Sequence, residues 1–177
     1  MKEHVVLVDD AGNSIGMMEK LEAHQKGLLH SAISVFVFNT AGEVLLQQRA
    51  FSKYHSGGLW TNACCSHPRP DEFVPAAAHR RLNEEMGMDC ELEALFDFTY
   101  RHDFDNGLTE HEFDNVFAGI SDEVPNPDPG EVAAYRYASP REILKDINEN
   151  PDAYTVWFKL IITRVLNIYP TINLVTE

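Results

Sequence analysis

Cysteine, long apolar runs and net positive charge are what this chain has little of. Only three of its 177 residues are cysteine. An odd number, with Cys64 and Cys65 adjacent, leaves no disulfide framework and implies reduced thiols. No apolar run approaches the ~18 to 20 residues of a membrane span. The opening Met1-Lys2-Glu3-His4-Val5 lacks the apolar stretch of a secretion signal. A cytoplasmic protein without membrane contact is expected. Lys and Arg number 14 against 28 Asp and Glu, a formal charge of −14. Such a surface repels polyanions, so no nucleic-acid partner is expected. A small phosphorylated ligand stays compatible, because a pocket needs few cations. Repeats and low-complexity tracts are also missing, and one domain over 1–177 is expected.

What is there alternates strand and helix signals. His4 to Val8 is a short apolar strand ended by Asp9-Asp10-Ala11-Gly12-Asn13. Ser31 to Phe38 (SAISVFVF) suits a buried strand, and Asn39-Thr40-Ala41-Gly42 turns it into Glu43 to Gln48 as a hairpin. Asp71 to Gly87 predicts a helix with Pro75 in its first turn and Gly87 as its stop. Phe96 to Tyr100 and Glu110 to Ile120 read as strands, and Asn126 to Gly130 as a loop. Ser139-Pro140-Arg141-Glu142 is a capping box that opens a short helix with Ile143, Leu144 and Ile147 inward. Asp152 to Ile168 predicts a longer helix with Trp157, Ile161, Val165 and Ile168 on one face. Strands interrupted by helices imply an α/β or α+β layered fold.

Three groups of residues carry chemistry. Arg81 and Glu85 are helical neighbours, and the pair fits either a solvated ion pair or a site for a cation and a phosphate. Glu110 and Glu112 lie two apart in a strand, so both face one side while His111 faces the other. His24, His30 and His67 could join them around a divalent ion, although each alone reads more readily as a surface or loop histidine. The segment TNACCSHP, Thr61 to Pro68, sets a thiol two residues before His67. Buried cysteines are usually inert, but that placement favours a thiolate at Cys65. Cys64 and Cys90 read as packing residues.

Between Ser66 and Met88 the chain resembles the Nudix signature G-x5-E-x7-R-E-U-x-E-E-x-G-U, through Glu72, Arg80, Leu82, Glu84, Glu85, Gly87 and Met88. It departs at Ser66, in the glycine position, and at Arg81, in place of the first glutamate. A box altered in this way resembles that of the type I isopentenyl-diphosphate isomerases. Leu21 to His24, Leu29 to Ala32, the Thr61 to Pro68 segment and Glu110-His111-Glu112 are similar to four further motifs of that family, in order. The resemblance implies a Nudix-type mixed β-sheet sandwiched between helices. It implies one Mn²⁺, Mg²⁺ or Zn²⁺ held by His24, His30, His67, Glu110 and Glu112, and a Mg²⁺ bridging Glu85 to a diphosphate. Lys20, Arg49, Lys53 and Arg81 would bind that diphosphate, in a monomer or weak dimer.

The implied reaction interconverts isopentenyl and dimethylallyl diphosphate through a carbocation, so it needs two proton-handling groups. The resemblance gives that pair to Cys65 and Glu112. Glu112, assisted by Tyr100, would donate, and Cys65 as thiolate would accept. Trp157 would offer its ring face to the cation, while periodicity alone equally makes it a core residue; Trp60 is a second candidate wall. A nucleotide-derivative hydrolase predicts a fuller acidic helix and leaves Cys65 without a task. A non-catalytic sensor predicts binding without turnover.

Overall fold

The computed structural model describes residues 3–173. At its centre is β3 (His30–Phe38), nine residues that are all buried. The run lacks polar alternation because both its faces are covered. β8 (Thr109–Ile120) runs parallel to it, from His30 opposite Glu112 to Phe38 opposite Ile120. β7 (Glu93–Asp103) pairs antiparallel with β8. On the other flank lie β1 (His4–Val8), β2 (Ser14–Glu19), β4 (Val44–Arg49) and β9 (Val132–Ala138). All join one mixed, nine-stranded sheet.

The expected hairpin opens almost at once, because β3 and β4 pair only at Phe38 and Val44. The diverging strands make room for the cysteine segment. There β5 (Trp60–Thr61) pairs with β4, and β6 (Cys64–Ser66) pairs with β3 at Ile33, Ser34 and Val35.

Two helices cover the faces. α2 (Val74–Met86) buries Ala77, Ala78, Leu82 and Met86 against Ile33, Val35 and Val37. α4 (Val156–Asn173) buries Trp157, Phe158, Ile161, Ile162 and Val165 against Phe36, Phe38 and Val116. Alternate residues of β3 thus enter opposite layers. This is the expected mixed sheet between helices.

Several boundaries differ from expectation. α2 starts at Val74 because Asp71 sits at φ +64°, outside helical space. It ends where expected, at Gly87. A Cβ there would lie 2.2 Å from the Asn126 carbonyl oxygen, and φ is +63°. Both facts require glycine. The Ser139 capping box forms and opens α3 (Pro140–Glu149), but Leu144 is exposed rather than inward. The last helix begins at Val156, since Pro151–Ala153 makes a short 3-10 turn first. Ile168 is half-buried, and the neighbouring Tyr169 takes the core position. Three elements had no clear signal: β2 is mostly exposed, α1 (Lys20–Lys26) is only seven residues long, and β9 depends on its pairing with β4. Among the described residues no helix is long and apolar enough to cross a membrane.

Candidate active site

The adjacent cysteines part company because strand residues alternate faces. Cys64 is fully buried in the α2 layer, with Ala77 and Leu82. Cys65 faces the α4 layer, where its Sγ receives the Trp157 Nε1–H at 3.0 Å and donates to Asn62 Oδ1 at 3.0 Å. Asn62 is itself fixed by its amide, which donates to the carbonyls of Val35 and Cys64 at 3.0 and 2.9 Å. The surroundings of Cys65 oppose the expected thiolate. Burial pushes its pKa up to about 12, reinforced by Asp114. The sulfur nevertheless has both an acceptor for its proton and an N–H donor suited to the anion. Cys90 is half-buried against the α2 layer.

At the base of the same region β3 and β8 bring imidazoles and carboxylates together. His24 on α1 donates its Nδ1–H to the Lys20 carbonyl at 2.7 Å, and His30 donates its own to Leu28 at 2.8 Å. These bonds place the neutral lone pair on Nε2 of each ring. Both Nε2 atoms are buried without a hydrogen-bond partner, as is Glu110 Oε2. His24 Nε2 is 3.3 Å from Glu110 Oε2, and His30 Nε2 is 3.6 Å from Glu112 Oε1. His67 Nε2 is 2.8 Å from Glu112 Oε1. His67 Nε2–H thus donates to Glu112, whereas the unpartnered Nε2 atoms of His24 and His30 and Oε2 of Glu110 are acceptors that a cation would satisfy. Ligand atoms of His24, His30, His67 and Glu112 all lie within 4.8 Å of one another, and those of His24, His55 and Glu110 form a second such group. The donor set therefore fits a divalent metal with mixed nitrogen and oxygen ligands.

The charge states differ from ring to ring. Burial lowers the His67 pKa to about 3, so the ring is neutral and ready to ligate. Burial opposes protonation of His24 too, but Glu110 beside it shifts the balance and raises its pKa. Burial alone would raise Glu112, yet the imidazoles of His30 and His67 hold it ionised. Tyr100 donates its O–H to Glu112 Oε2 at 2.6 Å, and burial with the Glu112 charge holds the phenol protonated. Burial and the Glu112 charge push the Asp114 carboxyl, two residues further along β8, well above the usual carboxylate range, and it accepts from Ser34 Oγ at 2.7 Å. His111 faces the other side of β8 and bonds the Gly27 carbonyl at 3.0 Å.

The opposite end is basic. Arg81 donates to Glu84 and Glu85, each at 2.7 Å, and lies 3.4 Å from Glu131. Lys53 pairs with Glu131, and Lys20 with Glu3 at 3.2 Å. The Arg49 guanidinium lies 5.3 Å from the centre of the Trp157 ring, so a cation already occupies that face. Glu85 accepts from both Arg81 and Gln47. Glu72 is clamped by Arg80 at 2.6 and 2.8 Å.

One cavity of about 440 Å³ joins the two ends. Lys20, Arg49, Lys53, Arg81 and Glu85 line it, as do Cys65, His67, Tyr100, Glu110, Glu112 and Trp157. His24 and His30 sit fully buried beneath. Trp60 is not part of this wall; it packs under Arg136 at 4.8 Å. Arg80, named above only as part of the signature, also lines the cavity, as do Arg69 and His55, which no motif includes. His55 had no motif to flag it, only its position six residues after Arg49.

With that geometry in view, comparison with known proteins is direct. The NUDIX domain family model matches residues 28–158. An isopentenyl-diphosphate Delta-isomerase of Pectobacterium atrosepticum is 53% identical over 161 residues, covering 91% of this chain and 90% of that protein. One from Burkholderia multivorans is 51% identical over 164 residues, covering 93% of each. Among solved structures, a Deinococcus radiodurans protein superposes with a TM-score of 0.75 at 17% identity, over 91% of this chain and 98% of that one. MutT from Methanosarcina mazei gives 0.62 at 18% identity, over 77% and 91%. These structural likenesses show the fold; the sequence relatives show more. The chain belongs to the NUDIX family and, within it, to the isopentenyl-diphosphate Delta-isomerases.

Proposed function

We propose that the protein interconverts isopentenyl and dimethylallyl diphosphate by adding a proton to one carbon and removing one from another. The observation that carries this reading is that Cys65 and the Tyr100–Glu112 pair line one cavity whose far end holds the cations. They flank β3 from opposite edges: Cys65 stands opposite Ser34 on β6, and Glu112 opposite His30 on β8. A five-carbon chain lying across β3 would meet one proton-handling group on each side. The group that protonates a carbon in one direction deprotonates it in the reverse. Asn62 and Trp157 serve the sulfur in either state, one accepting from S–H and the other donating to the anion.

Lys20, Arg49, Lys53 and Arg81 would take the diphosphate oxygens, and Glu85 the Mg²⁺ that a diphosphate carries. His24, His30, His67, Glu110 and Glu112 would hold a divalent ion such as Mn²⁺, Mg²⁺ or Zn²⁺. Bound there, that ion supplies the Lewis acidity that strengthens the neighbouring Tyr100–Glu112 pair as an acid. The buried aromatic wall of Tyr100 and Trp157 would keep water from the cation formed between the two proton steps. Arg81 also argues against hydrolysis, since it stands where the Nudix signature has its first glutamate and so leaves the helix one acid short. Three free thiols fit a reducing compartment, the cytoplasm.

Incubation with isopentenyl diphosphate and Mg²⁺ in heavy water tests the reading. Deuterated dimethylallyl diphosphate is the expected product. Released phosphate would replace isomerisation with hydrolysis, and unchanged substrate would leave a binding protein.

A further inference from the structure

None of the motifs above includes His55, yet it is only 8% exposed in the segment between β4 and β5. Its ring stacks on Phe104 at 5.0 Å and meets the edges of Tyr54 at 4.7 Å and Trp157 at 6.1 Å. Nε2 lies 2.8 Å from Glu110 Oε1. The other carboxylate oxygen, Oε2, has no hydrogen-bond partner and faces the equally unpartnered Nε2 of His24. His55 therefore engages one oxygen of Glu110 and leaves the other for the ion.

The backbone around His55 is a closed unit. Its carbonyl accepts from Arg49 Nη2 at 3.4 Å. Arg49 N–H donates to Leu59 O at 2.9 Å, and Gly58 N–H returns a bond to Arg49 O at 3.0 Å. A Cβ on Gly57 would lie 2.8 Å from the Phe51 carbonyl oxygen, so the segment has no slack there. Arg49 and Lys53, which share the diphosphate with Lys20 and Arg81 in the function proposed above, belong to this unit.

We propose that His55 is a positioning residue that fastens the cation-bearing loop to the metal site through Glu110. Ion binding then fixes Glu110, Glu110 fixes His55, and the loop is held in its closed form. Outer partners of ligating groups commonly set metal affinity within ~10- to 100-fold. The same link makes loop order and metal occupancy reciprocal. The loop's service to a diphosphate rests on the function proposed above; the link to the metal does not.

The test is Mn²⁺ titration of chelator-stripped protein, followed by amide hydrogen exchange with and without Mn²⁺. His55→Leu should bind Mn²⁺ ~10- to 100-fold more weakly. In that variant, Mn²⁺ loading should no longer slow exchange over residues 50–59, while protection in β8 persists. His55→Gln, whose amide can still donate to Oε1, should restore both properties to within about threefold, an order-of-magnitude expectation for a kept hydrogen bond. His55→Asn, with a shorter reach, should behave like the leucine variant and stands in for it if that variant does not fold. Wild-type affinity and loop protection in the leucine or asparagine variant would overturn the proposal. Equal loss in the glutamine variant would also overturn it, by making the ring itself a ligand. Neither readout involves turnover, so failure here is distinguishable from failure of the isomerase reading.

Discussion

The two ends of the cavity resolve their charges in opposite ways. At the histidine end, acceptors face acceptors: Nε2 of His24 and His30 and Oε2 of Glu110 have no hydrogen-bond partners. At the basic end each cation already has an acid or a ring, Arg81 with Glu84 and Glu85, Lys53 with Glu131, Arg49 with Trp157. The first end is built to keep an ion. The second is built to exchange one anion for another, because a phosphate arriving at Arg81 or Lys53 displaces a carboxylate instead of filling a void. Partly exposed pairs such as Lys53–Glu131 contribute little individually, so exchange there costs little. The −14 protein can thus bind an anion without a standing positive patch.

Substitutions at the proton-handling groups should give the largest effects. Cys65→Ala and Glu112→Gln should each reduce turnover by ~10²- to 10⁴-fold. Elemental analysis should find that only the Glu112 variant also loses its tightly held metal. Cys64→Ala, in the other layer, should retain turnover; an inactive Cys64 variant beside an active Cys65 variant would reassign the thiol. Chelation comes next. Stripping the ion should lower unfolding stability by ~2.7 kcal/mol where the metal had stood at a hundred times its Kd. Calorimetry should find that same drop in Arg81→Ala, since that residue serves the other end.

Arg81→Ala should instead weaken pyrophosphate binding by about 2 kcal/mol, the scale of a charge-assisted hydrogen bond. Titration calorimetry reads this, and unchanged affinity would remove Arg81 from the anion site. Smallest over any single pH unit is a slope with pH. His67 is lowered to about 3 in the fold, against 6.5 when unfolded, so the unfolded chain binds the extra proton between those values. Stability conferred above the unfolded value is lost as pH falls through that window, by at most ~1.4 kcal/mol per unit. Metal-free wild type should therefore lose stability relative to His67→Asn as pH drops from 6.5 toward 4. A parallel pair of curves would deny that the ring is held neutral.

Much of this was legible where local chemistry and long-range need agree. The SAISVFVF run could only be a strand covered on both faces, and Gly87 only a helix stop. His24, His30, His67, Glu110 and Glu112 were found through motif resemblance; their spread over nearly ninety residues carried little signal of its own. His55 was lost because its importance comes from loop closure, which no periodicity encodes. The surroundings of Cys65 were misjudged for a related reason: proximity to His67 along the chain says nothing about the burial and the Asp114 carboxyl that oppose a thiolate. Trp60, beside the motif in sequence, packs on the α4-side core under Arg136 and outside the cavity wall.

The tandem thiols occupy a three-residue strand in which neighbours address opposite layers. Parity, more than identity, is then what this segment must conserve. Losing or gaining a single residue ahead of Cys64 would exchange the two sulfurs, sending the sheltered one into the cavity and the reactive one beneath α2, and would turn His67 away from Glu112. An insertion of two residues would leave every side chain on its own side and only lengthen the ribbon. Substitution can be forgiven at Cys64, but a miscount of one cannot.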